Sequence, residues 1–425
     1  MSTAVVLGGG FAGVLAARVL TAGFDRVVLV EGDRYPRHPG VRAGLPQAHH
    51  NHVLVTGGAR ALEELLPGTL AELAAHGAHR RGLTGDALIL SDAGWFRRHE
   101  TGSFVISCSR WLTDHVVRRR ALAGTTVTVR EDTRVLGLTG DAGRVTGAVV
   151  AGPDGRAAPL RADLVVDATG RRSRAPRWLA ELGGAPVEER TVDPGFAYST
   201  RVYRAPDRLT AAMPAIMLHP RGGYGATLFP IEDGRWIVTL TGSRERVPPA
   251  DAPGFEAATA GLASPILAEL LAAAAPDGAV RPYRGTANRR RFFERRSPTA
   301  GLLVLGDALS STNPVYSHGM SVAALSVRRL ARELASTGPH AGLQAAVAAE
   351  VDLPWRMAVD QDRPPAPAPR RALALTPALI GAMFHVQTLA GGPPVGLPAG
   401  RAQPALSTDE AVAQFPCLSD WRTHR

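Results

Sequence analysis

Apolar and polar positions recur with a different period in each part of the chain, and the period predicts the element. Near the amino terminus, the apolar run Ala4 to Leu7 predicts a buried strand, and a glycine-rich stretch follows it. Alanine and leucine then recur at helical spacing up to Gly23, which ends the predicted helix. A second apolar run, Val27 to Val30, completes a strand-helix-strand opening.

The middle of the chain changes to a period of two. Between Gly195 and Gly242, four alternating runs without intervening helices predict an antiparallel sheet: FAYSTRVYR, AIMLH, YGATLF and RWIVTLTG. A hairpin is predicted within Asp86 to His99. The later run GLLVLGD returns to the aliphatic pattern of a strand covered on both faces.

These changes of pattern predict an α/β fold in which a Rossmann-like nucleotide-binding domain is interrupted by an inserted antiparallel β-sheet substrate domain and followed by C-terminal helices. The predicted boundaries are 1–75, 100–190 and 285–340 for the nucleotide-binding domain, 76–99 and 191–284 for the substrate domain, and 341–425 for the C-terminal helical region. Within the last region, the proline-rich stretch 363–371 predicts an extended linker, and a helix is predicted from Thr376 to Gly391.

Composition narrows the class of protein. The chain has 425 residues, of which 45% are hydrophobic and 5% aromatic, as in ordinary globular proteins. No apolar run reaches the roughly 18 residues of a membrane-spanning helix, and the first ten residues lack the charged start of a signal peptide. We therefore expect a cytoplasmic protein without stable membrane insertion.

The net charge of +10 raises nucleic acid as a partner. All 48 basic residues are arginine, however, and they are scattered along the chain without the interleaved aromatic residues of single-strand binders. Two cysteines far apart in sequence form no metal or redox motif. We expect a small-molecule substrate and no nucleic acid; the oligomeric state is not predicted.

The glycines after the first strand have the spacing of a dinucleotide-binding turn. Gly8, Gly10 and Gly13 form G-x-G-x-x-G between a strand and a helix, and Glu31 ends the next strand eighteen positions after Gly13. Gly8 permits the turn, Gly10 lets the backbone approach a pyrophosphate, and Gly13 lets the helix pack on the strand. Glu31 is expected to accept hydrogen bonds from ribose hydroxyls.

Two further acidic turns follow apolar strands. ADLVVDATG ends in Asp167, and the stretch LGDALSSTNPVYSHGMS runs from Asp307 through an Asn-Pro turn into a helix. An acidic residue at such a place holds a hydroxyl or a cation, and a helix amino terminus faces an electron-rich group.

Together, these features resemble the single-component (group A) flavoprotein monooxygenases with the p-hydroxybenzoate hydroxylase fold. The similarity is closest to the FAD-dependent epoxidases of polyether polyketide pathways, such as those for lasalocid and monensin. The stretches that carry it are RAGLPQAHHNHVL, GARALEELLPGT, CSRWL, ADLVVDATGRRSR, PIEDGRWIVTLTG and LGDALSSTNPVYSHGMS.

The resemblance implies that the nucleotide-binding domain binds FAD. Asp307 would bond the ribityl chain, Arg110 would reach the phosphate or ribityl region, and the helix after Pro314 would point at the pyrimidine edge of the flavin. The cofactor-binding residues that it implies are Gly8, Gly10, Gly13, Glu31, Arg42, Gln47, Arg110, Val135, Asp307, Pro314, Gly319 and Met320. The chain departs from the family at Ser317 and Arg172, where glycine is usual; we expect the serine to restrict the loop or to donate a hydrogen bond.

The activity that the resemblance implies is epoxidation of one or more alkenes of a polyene polyketide or a similar apolar specialised metabolite, through a flavin C4a-hydroperoxide. The flavin carries this chemistry, so no catalytic side chain is assigned. O2 is the co-substrate; because a second nucleotide fingerprint is absent, electrons come from transiently bound NAD(P)H or from a flavin reductase. Candidate residues of the substrate pocket are His50, His52, Phe196, Tyr198, Met217, Leu228, Phe229 and Tyr316.

The same residues allow other interpretations. His49, His50 and His52 alternate without an Asp, Glu or Cys at ligand spacing, which disfavours a metal site. Without a G-x-S-x-G elbow, a serine hydrolase is rejected. A redox-neutral FAD-bound cyclase of polyketide biosynthesis, such as a [4+2] cyclase, stays open as an alternative, and a flavin-linked reductase of isoprenoid double bonds is disfavoured.

Overall fold

The computed structural model describes residues 1–92, 94–209, 213–219, 223–295, 299–362, 377–391 and 405–424. The helices are α1 (Phe11–Leu20), α2 (Thr56–Leu65), α3 (Thr69–Ala75), α4 (Arg110–Leu122), α5 (Ala175–Glu181), α6 (Ala252–Ala260), α7 (Ile266–Ala272), α8 (Gly319–Thr337), α9 (Leu343–Asp362), α10 (Pro377–Gln387), α11 (Thr408–Ala413) and α12 (Pro416–Thr423). None of these described helices has the length and hydropathy needed to cross a bilayer.

The strands fall into one parallel sheet, one large antiparallel sheet and three smaller sheets. They are β1 (Thr3–Leu7), β2 (Arg26–Val30), β3 (Val53–Val55), β4 (His79–Leu83), β5 (Ala87–Ser91), β6 (Gly94–Trp95), β7 (Ser103–Ser107), β8 (Thr128–Arg130), β9 (Arg134–Gly140), β10 (Val145–Ala151), β11 (Ala157–Arg161), β12 (Leu164–Asp167), β13 (Glu189–Val192), β14 (Ala197–Arg204), β15 (Ala215–His219), β16 (Gly225–Ile231), β17 (Arg235–Gly242), β18 (Ala275–Pro276), β19 (Arg281–Tyr283), β20 (Asn288–Arg291), β21 (Leu302–Val304) and β22 (Ser310–Ser311).

The parallel sheet has the strand order β21-β12-β1-β2-β8. Its central strand β1 is aligned with β12 on one side and with β2 on the other, so that Leu7 lies opposite both Asp167 and Val30. Because these strands are buried on both faces, they are almost continuously aliphatic, as the sequence indicated. The carboxyl ends of β1, β12 and β21 therefore meet at one edge, where ligands of such sheets bind.

The second sheet has the order β18-β14-β17-β16-β15-β5-β6. The four alternating runs predicted from the sequence form its centre and pair antiparallel, and the predicted hairpin supplies β5 and β6. Strand β5 joins this sheet parallel to β15, which the local pattern did not indicate. One face packs on the main core; the other packs with α6, α7, α11 and α12 in a second core around Trp236 and Phe255.

These observations confirm the predicted fold class: a Rossmann-like sheet, an antiparallel sheet and helices toward the carboxyl terminus. The helix predicted from Thr376 begins at Pro377 and ends at Gln387. The predicted proline-rich linker at 363–371 lies outside the described residues. The domain boundaries themselves stay predictions.

Candidate functional site

The glycine turn between β1 and α1 is built by close backbone contacts. Gly8 has a φ of +94°, and a Cβ placed on it would approach the carbonyl oxygen of Ala168 to 2.6 Å. A Cβ on Gly13 would lie 1.8 Å from the Gly8 carbonyl oxygen, so helix and strand touch there. Gly10, at the start of α1, has nothing within 4 Å of such a Cβ. The turn therefore leaves open space in front of the helix amino terminus, where an anion is favoured.

Glu31 closes the outer end of this turn. Its two carboxylate oxygens accept hydrogen bonds from the backbone N–H groups of Gly9 (2.8 Å) and Asp33 (2.9 Å). Each oxygen retains a second lone pair for a ribose hydroxyl. Arg42 lies 3.4 Å from Glu31 and also pairs with Asp114. Burial acts to lower the pKa of Arg42, but the charges of Asp114 and Glu31 outweigh it and raise the pKa above its ordinary value.

Arg110 lies beside the amino terminus of α1. The Ser109 hydroxyl caps helix α4, accepting from the backbone N–H of Leu112, and thereby fixes where Arg110 begins the helix. The guanidinium carbon lies 5.7 Å from the centre of the Phe11 ring, and the side chain is buried. Its Nη1 has no hydrogen-bond partner in the described structure and is 3.9 Å from Asp114. Burial lowers the pKa of Arg110, so an anionic ligand would compensate its charge.

The Gly-Asp turn after β21 reaches the same region. A Cβ on Gly306 would lie 2.9 Å from the Ala12 side chain of α1, and the Asp307 carboxylate lies 3.6 Å from the corresponding position on Gly319. The Asp307 side chain is accessible from the cleft. Surrounding protein raises its pKa, while Arg171, Arg110 and Arg289 act in the opposite direction.

The amino terminus of α8 is presented by a tight turn. The Asn313 side chain accepts a hydrogen bond from the backbone N–H of Val315, and Pro314 opens the 3-10 turn Pro314–Tyr316. Ser317 then adopts the left-handed conformation at φ 55°. Gly319 is exposed at the first helical position, whereas Met320 is buried in the core. The exposed backbone N–H groups of this helix therefore lie next to Asp307.

A cavity of about 430 Å³ opens beside this turn. One wall is the inner face of the antiparallel sheet, a second is the turn from Pro314 to His318, and a third is the end of α10, which supplies Met383, Phe384 and Gln387. In the described part of the chain, the wall contains no aspartate, glutamate or arginine. The size and mostly apolar lining are those of a small-molecule site.

Four of the predicted pocket residues lie on this wall: Tyr198, Met217, Phe229 and Tyr316. The prediction is corrected for Leu228, which is fully buried in the second core. Successive side chains of a strand point to opposite faces, so Leu228 cannot share a face with Phe229. Phe196 precedes β14 and is not among the residues that line this cavity, and its carbonyl oxygen accepts a hydrogen bond from Thr286. Its place in the substrate pocket stays a prediction.

The three neighbouring histidines point in different directions, and none lines the cavity. The His49 ring lies edge-on to Trp111, His50 Nδ1 is 3.1 Å from the Thr200 hydroxyl, and His52 Nδ1 is 2.8 Å from the His50 carbonyl oxygen. Burial lowers the pKa of His50 to about 4 and, together with the Arg110 charge, that of His52 to about 3. The placement of His50 and His52 in the substrate pocket stays a prediction; the His50 ring contacts the ring of Tyr198, which lies on the wall.

Two further predicted cofactor residues, Gln47 and Val135, lie outside the glycine turn. Gln47 is half-buried in the 3-10 turn Pro46–His49. Val135 begins the part of β9 that packs on the main core, two residues after Thr133, whose backbone N–H donates to the Glu31 carbonyl oxygen. No group of three or more potential metal ligands occurs among the described residues.

Sequence reasoning missed four features of the cavity. Asn51 lies on its wall with a buried side-chain oxygen that has no partner, and His219 projects into it from the end of β15. His318 donates from Nε2 to the Gln387 carbonyl oxygen at 2.9 Å, an arrangement that ties α8 to α10. Phe384 of α10 covers the cavity and contacts Phe96 edge-on. His219 could have been found from the sequence, because it lies two positions after Met217 on the same strand and therefore on the same face. No sequence pattern indicated the contacts that α10 makes.

A larger cavity of about 600 Å³ lies at the opposite end of the parallel sheet, where Asp163, Leu302 and Gln344 line it. Asp163 precedes β12 and Leu302 begins β21, so the cavity is at the amino-terminal edge. It is remote from the glycine turn and from Asp307. Ligands of open parallel sheets bind at the carboxyl edge, and we assign no role to it.

The residues at the carboxyl edge fit FAD on three observations. The space in front of Gly10 is open, as a pyrophosphate requires. Arg110 Nη1 and Arg289 Nη2 are buried guanidinium nitrogens without hydrogen-bond partners among the described residues, and both face the region of Asp307. Asp307 is accessible to a polyol chain. Arg289 was not among the predicted cofactor-binding residues, and its unpartnered Nη2 makes it an additional candidate.

The fold is similar to those of several solved flavoprotein structures. The flavin-dependent brominase Bmp2 has a TM-score of 0.67 at 17% identity, covering 91% of this chain and 92% of that chain. PqsL, a probable FAD-dependent monooxygenase from Pseudomonas aeruginosa, has a TM-score of 0.64 at 21% identity, covering 92% and 98%. The p-nitrophenol 4-monooxygenase PnpA from Pseudomonas putida has a TM-score of 0.62 at 19% identity, covering 85% and 88%. At such identities, the likeness establishes the fold.

Sequence comparison extends this likeness to a family. Protein Rv3254 of Mycobacterium tuberculosis is 32% identical over 353 residues, which are 78% of this chain and 72% of the relative. The family described as FAD binding domain matches residues 1–346, from the glycine turn past the end of α8. The chain therefore belongs to the FAD binding domain family, which supports FAD as its cofactor.

Proposed function

We propose that the protein is an FAD-dependent monooxygenase that epoxidises one or more alkenes of a polyene polyketide or a similar apolar specialised metabolite. The balanced reaction is alkene + O2 + NAD(P)H + H⁺ giving epoxide + H2O + NAD(P)⁺. One oxygen atom enters the alkene and the other leaves as water. NAD(P)H delivers the two electrons directly or through a flavin reductase.

The observation that carries this proposal is the position and lining of the 430 Å³ cavity. It adjoins the turn that presents the α8 amino terminus, and its wall lacks carboxylates and guanidinium groups in the described residues. Such a wall favours a neutral apolar substrate and offers little acid or base to activate it. The activating chemistry then has to come from the cofactor.

Bound FAD would supply two-electron reduction, reaction with O2 and an electrophilic oxygen. The side chains and backbone of the protein position FAD and the alkene. Gly10, Arg110 and Arg289 provide space and positive charge for the pyrophosphate, and Asp307 accepts from hydroxyl groups. The exposed N–H groups at Gly319 favour negative charge on the neighbouring ring edge. Met217, Phe229 and Phe384 exclude water and hold the alkene.

The decisive experiment compares product formation from polyene probes with and without oxygen. Incubation of the FAD-loaded protein with NAD(P)H, a reductase and isotopically labelled O2 is expected to place one labelled oxygen in the product. Product formed anaerobically with oxidised FAD, without label, would instead establish the redox-neutral cyclase. The control for uncatalysed oxidation is the same incubation with apoprotein and no added FAD.

A further inference from the structure

The cavity face of the antiparallel sheet is arranged in rows, because neighbouring strands are paired in register. In the outermost row, Ser91 of β5 lies opposite His219 of β15, and Thr241 of β17 lies opposite both Gly225 of β16 and Tyr198 of β14. A Cβ on Gly225 would lie 3.2 Å from His219 Nδ1, so β15 and β16 complete the row. Ser91 and His219 are therefore neighbours at one end of the cavity, and Thr241 lies in the same row on the far side of Gly225.

Polarity falls along the strands away from this row. One step inward, the row consists of Ile89, Met217, Thr227 and Thr239. Thr200 lies opposite Thr239 on the same face, and the two hydroxyls are 2.9 Å apart. A further step inward the wall carries Phe229. The glycine at position 225 adds space where the polar groups are most concentrated. The sheet thus offers a ligand a histidine and two hydroxyls in the outermost row and the aromatic ring of Phe229 in the innermost row.

His219 is the central group of the outer row. Its side chain is exposed to the cavity, and neither ring nitrogen bonds to another described residue. Surrounding protein lowers its pKa, so the ring is neutral near pH 7 and offers one N–H donor and one acceptor. No charged side chain shares the described wall with it. A neutral imidazole between two hydroxyls matches a hydroxyl or carbonyl better than a carboxylate.

We propose that Ser91, His219 and Thr241 form a polar subsite that binds a hydroxyl or carbonyl group at one end of the substrate. The substrate class is then an unsaturated apolar chain or ring system that ends in a neutral oxygen function. This inference rests on the proposed function for the identification of the ligand as the molecule that is oxidised. The subsite fixes the direction in which the substrate lies, and hence which alkene faces the flavin side of the cavity.

The test measures binding without turnover, by calorimetry on the oxidised, FAD-loaded full-length protein. The probes are farnesol, farnesene and farnesoic acid, which share one unsaturated chain and differ at its end. Farnesol is expected to bind most tightly. His219→Leu should weaken farnesol binding about tenfold and leave farnesene binding unchanged. Thr241→Val, which is nearly isosteric, should weaken farnesol in the same direction, and it serves if the histidine variant fails to fold.

His76→Leu is the matched control, since it makes the same chemical change on an exposed side chain of the surface, at the end of α3. The proposal is overturned if farnesol binds no more tightly than farnesene, if farnesoic acid binds most tightly, if no probe binds, or if both cavity variants bind farnesol like the wild type. Loss of oxygen incorporation with intact farnesol preference would count against the proposed function alone.

Discussion

The phenol of Tyr316 donates a hydrogen bond to the carboxylate of Asp362, the last residue of α9. The same carboxylate accepts from the side-chain amides of Asn288 and Asn313. Asn288 also accepts from the backbone N–H of Asn313 at 2.6 Å. One carboxylate therefore joins β20, the end of α9 and the turn before α8, so it holds the turn that forms a wall of the cavity.

Replacing Asp362 is expected to loosen this turn. Asp362→Ala leaves the Tyr316 hydroxyl and two amides without their acceptor, and the free energy of unfolding should fall by about 1–3 kcal/mol. Farnesol affinity should fall as well, because Tyr316 lines the cavity. Urea denaturation and calorimetry check both effects. Glu350→Ala, on the same helix, is the control; equal stability of the two variants would contradict the role of Asp362.

Asp307 is expected to determine how firmly FAD is held. Asp307→Ala removes an accessible carboxylate beside Gly319, and loss of a charge-assisted hydrogen bond should weaken FAD binding about 10- to 100-fold. The measurement is titration of the apoprotein with FAD, followed by quenching of flavin fluorescence. Asp277→Ala, in the loop before β19, should bind FAD like the wild type. Unchanged affinity in Asp307→Ala would remove this residue from the cofactor site.

Ser317 carries backbone strain that glycine would relieve. Its φ of 55° lies in the left-handed region, which costs a residue with a side chain about 1–2 kcal/mol. Glycine increases the entropy of the unfolded chain by the equivalent of about 0.4–1 kcal/mol. Ser317→Gly should therefore be more stable by about 0.5–1 kcal/mol in urea denaturation. Ser336→Gly, inside α8, should change stability in the opposite direction.

His50 should make the protein sensitive to acid. Its pKa in the folded protein is about 4, below the ordinary 6.5, so the unfolded chain takes up the proton first as the pH falls. The free energy of unfolding should therefore drop between pH 6.5 and 4, by about 1.4 kcal/mol per pH unit for this one group. His50→Gln should flatten that decline in denaturation curves measured across the range, and a decline as steep as in the wild type would contradict the role of His50.

Gly57 is expected to control how α10 covers the cavity. Its backbone N–H donates to the Thr388 carbonyl oxygen at 2.9 Å, and a Cβ placed on it would lie 1.9 Å from the Leu389 carbonyl oxygen. Gly57→Ala should displace α10 and lower the free energy of unfolding by about 1–3 kcal/mol. Faster proteolysis within α10 would register the displacement. Gly23→Ala, with nothing within 4 Å, is the control; identical proteolysis would count against the contact.

Much of the cofactor edge followed from the sequence. The glycine spacing, Glu31 and the Gly-Asp pair are each set by local backbone geometry, and the structure places all of them at one edge of the parallel sheet. The inner wall was less predictable. Alternation places Met217 and Phe229 on one face of the sheet, and the same alternation excludes Leu228, although the predicted pocket contains it. Arg289 was visible only as one of several adjacent arginines.

The sequence by itself determined the features that depend on residues close together in the chain. These are the turn at Gly8, the alternation within each strand and the amino terminus of α8. Only the tertiary structure decided which of the two faces of the antiparallel sheet borders the cavity, that Asp362 accepts a hydrogen bond from Tyr316, and that α10 supplies one wall of the cavity. The physical reason is that both faces of this sheet pack against apolar cores, so hydrophobicity alone does not distinguish them. Contacts between elements that are distant in sequence depend on how the helices and strands of these two cores pack against one another.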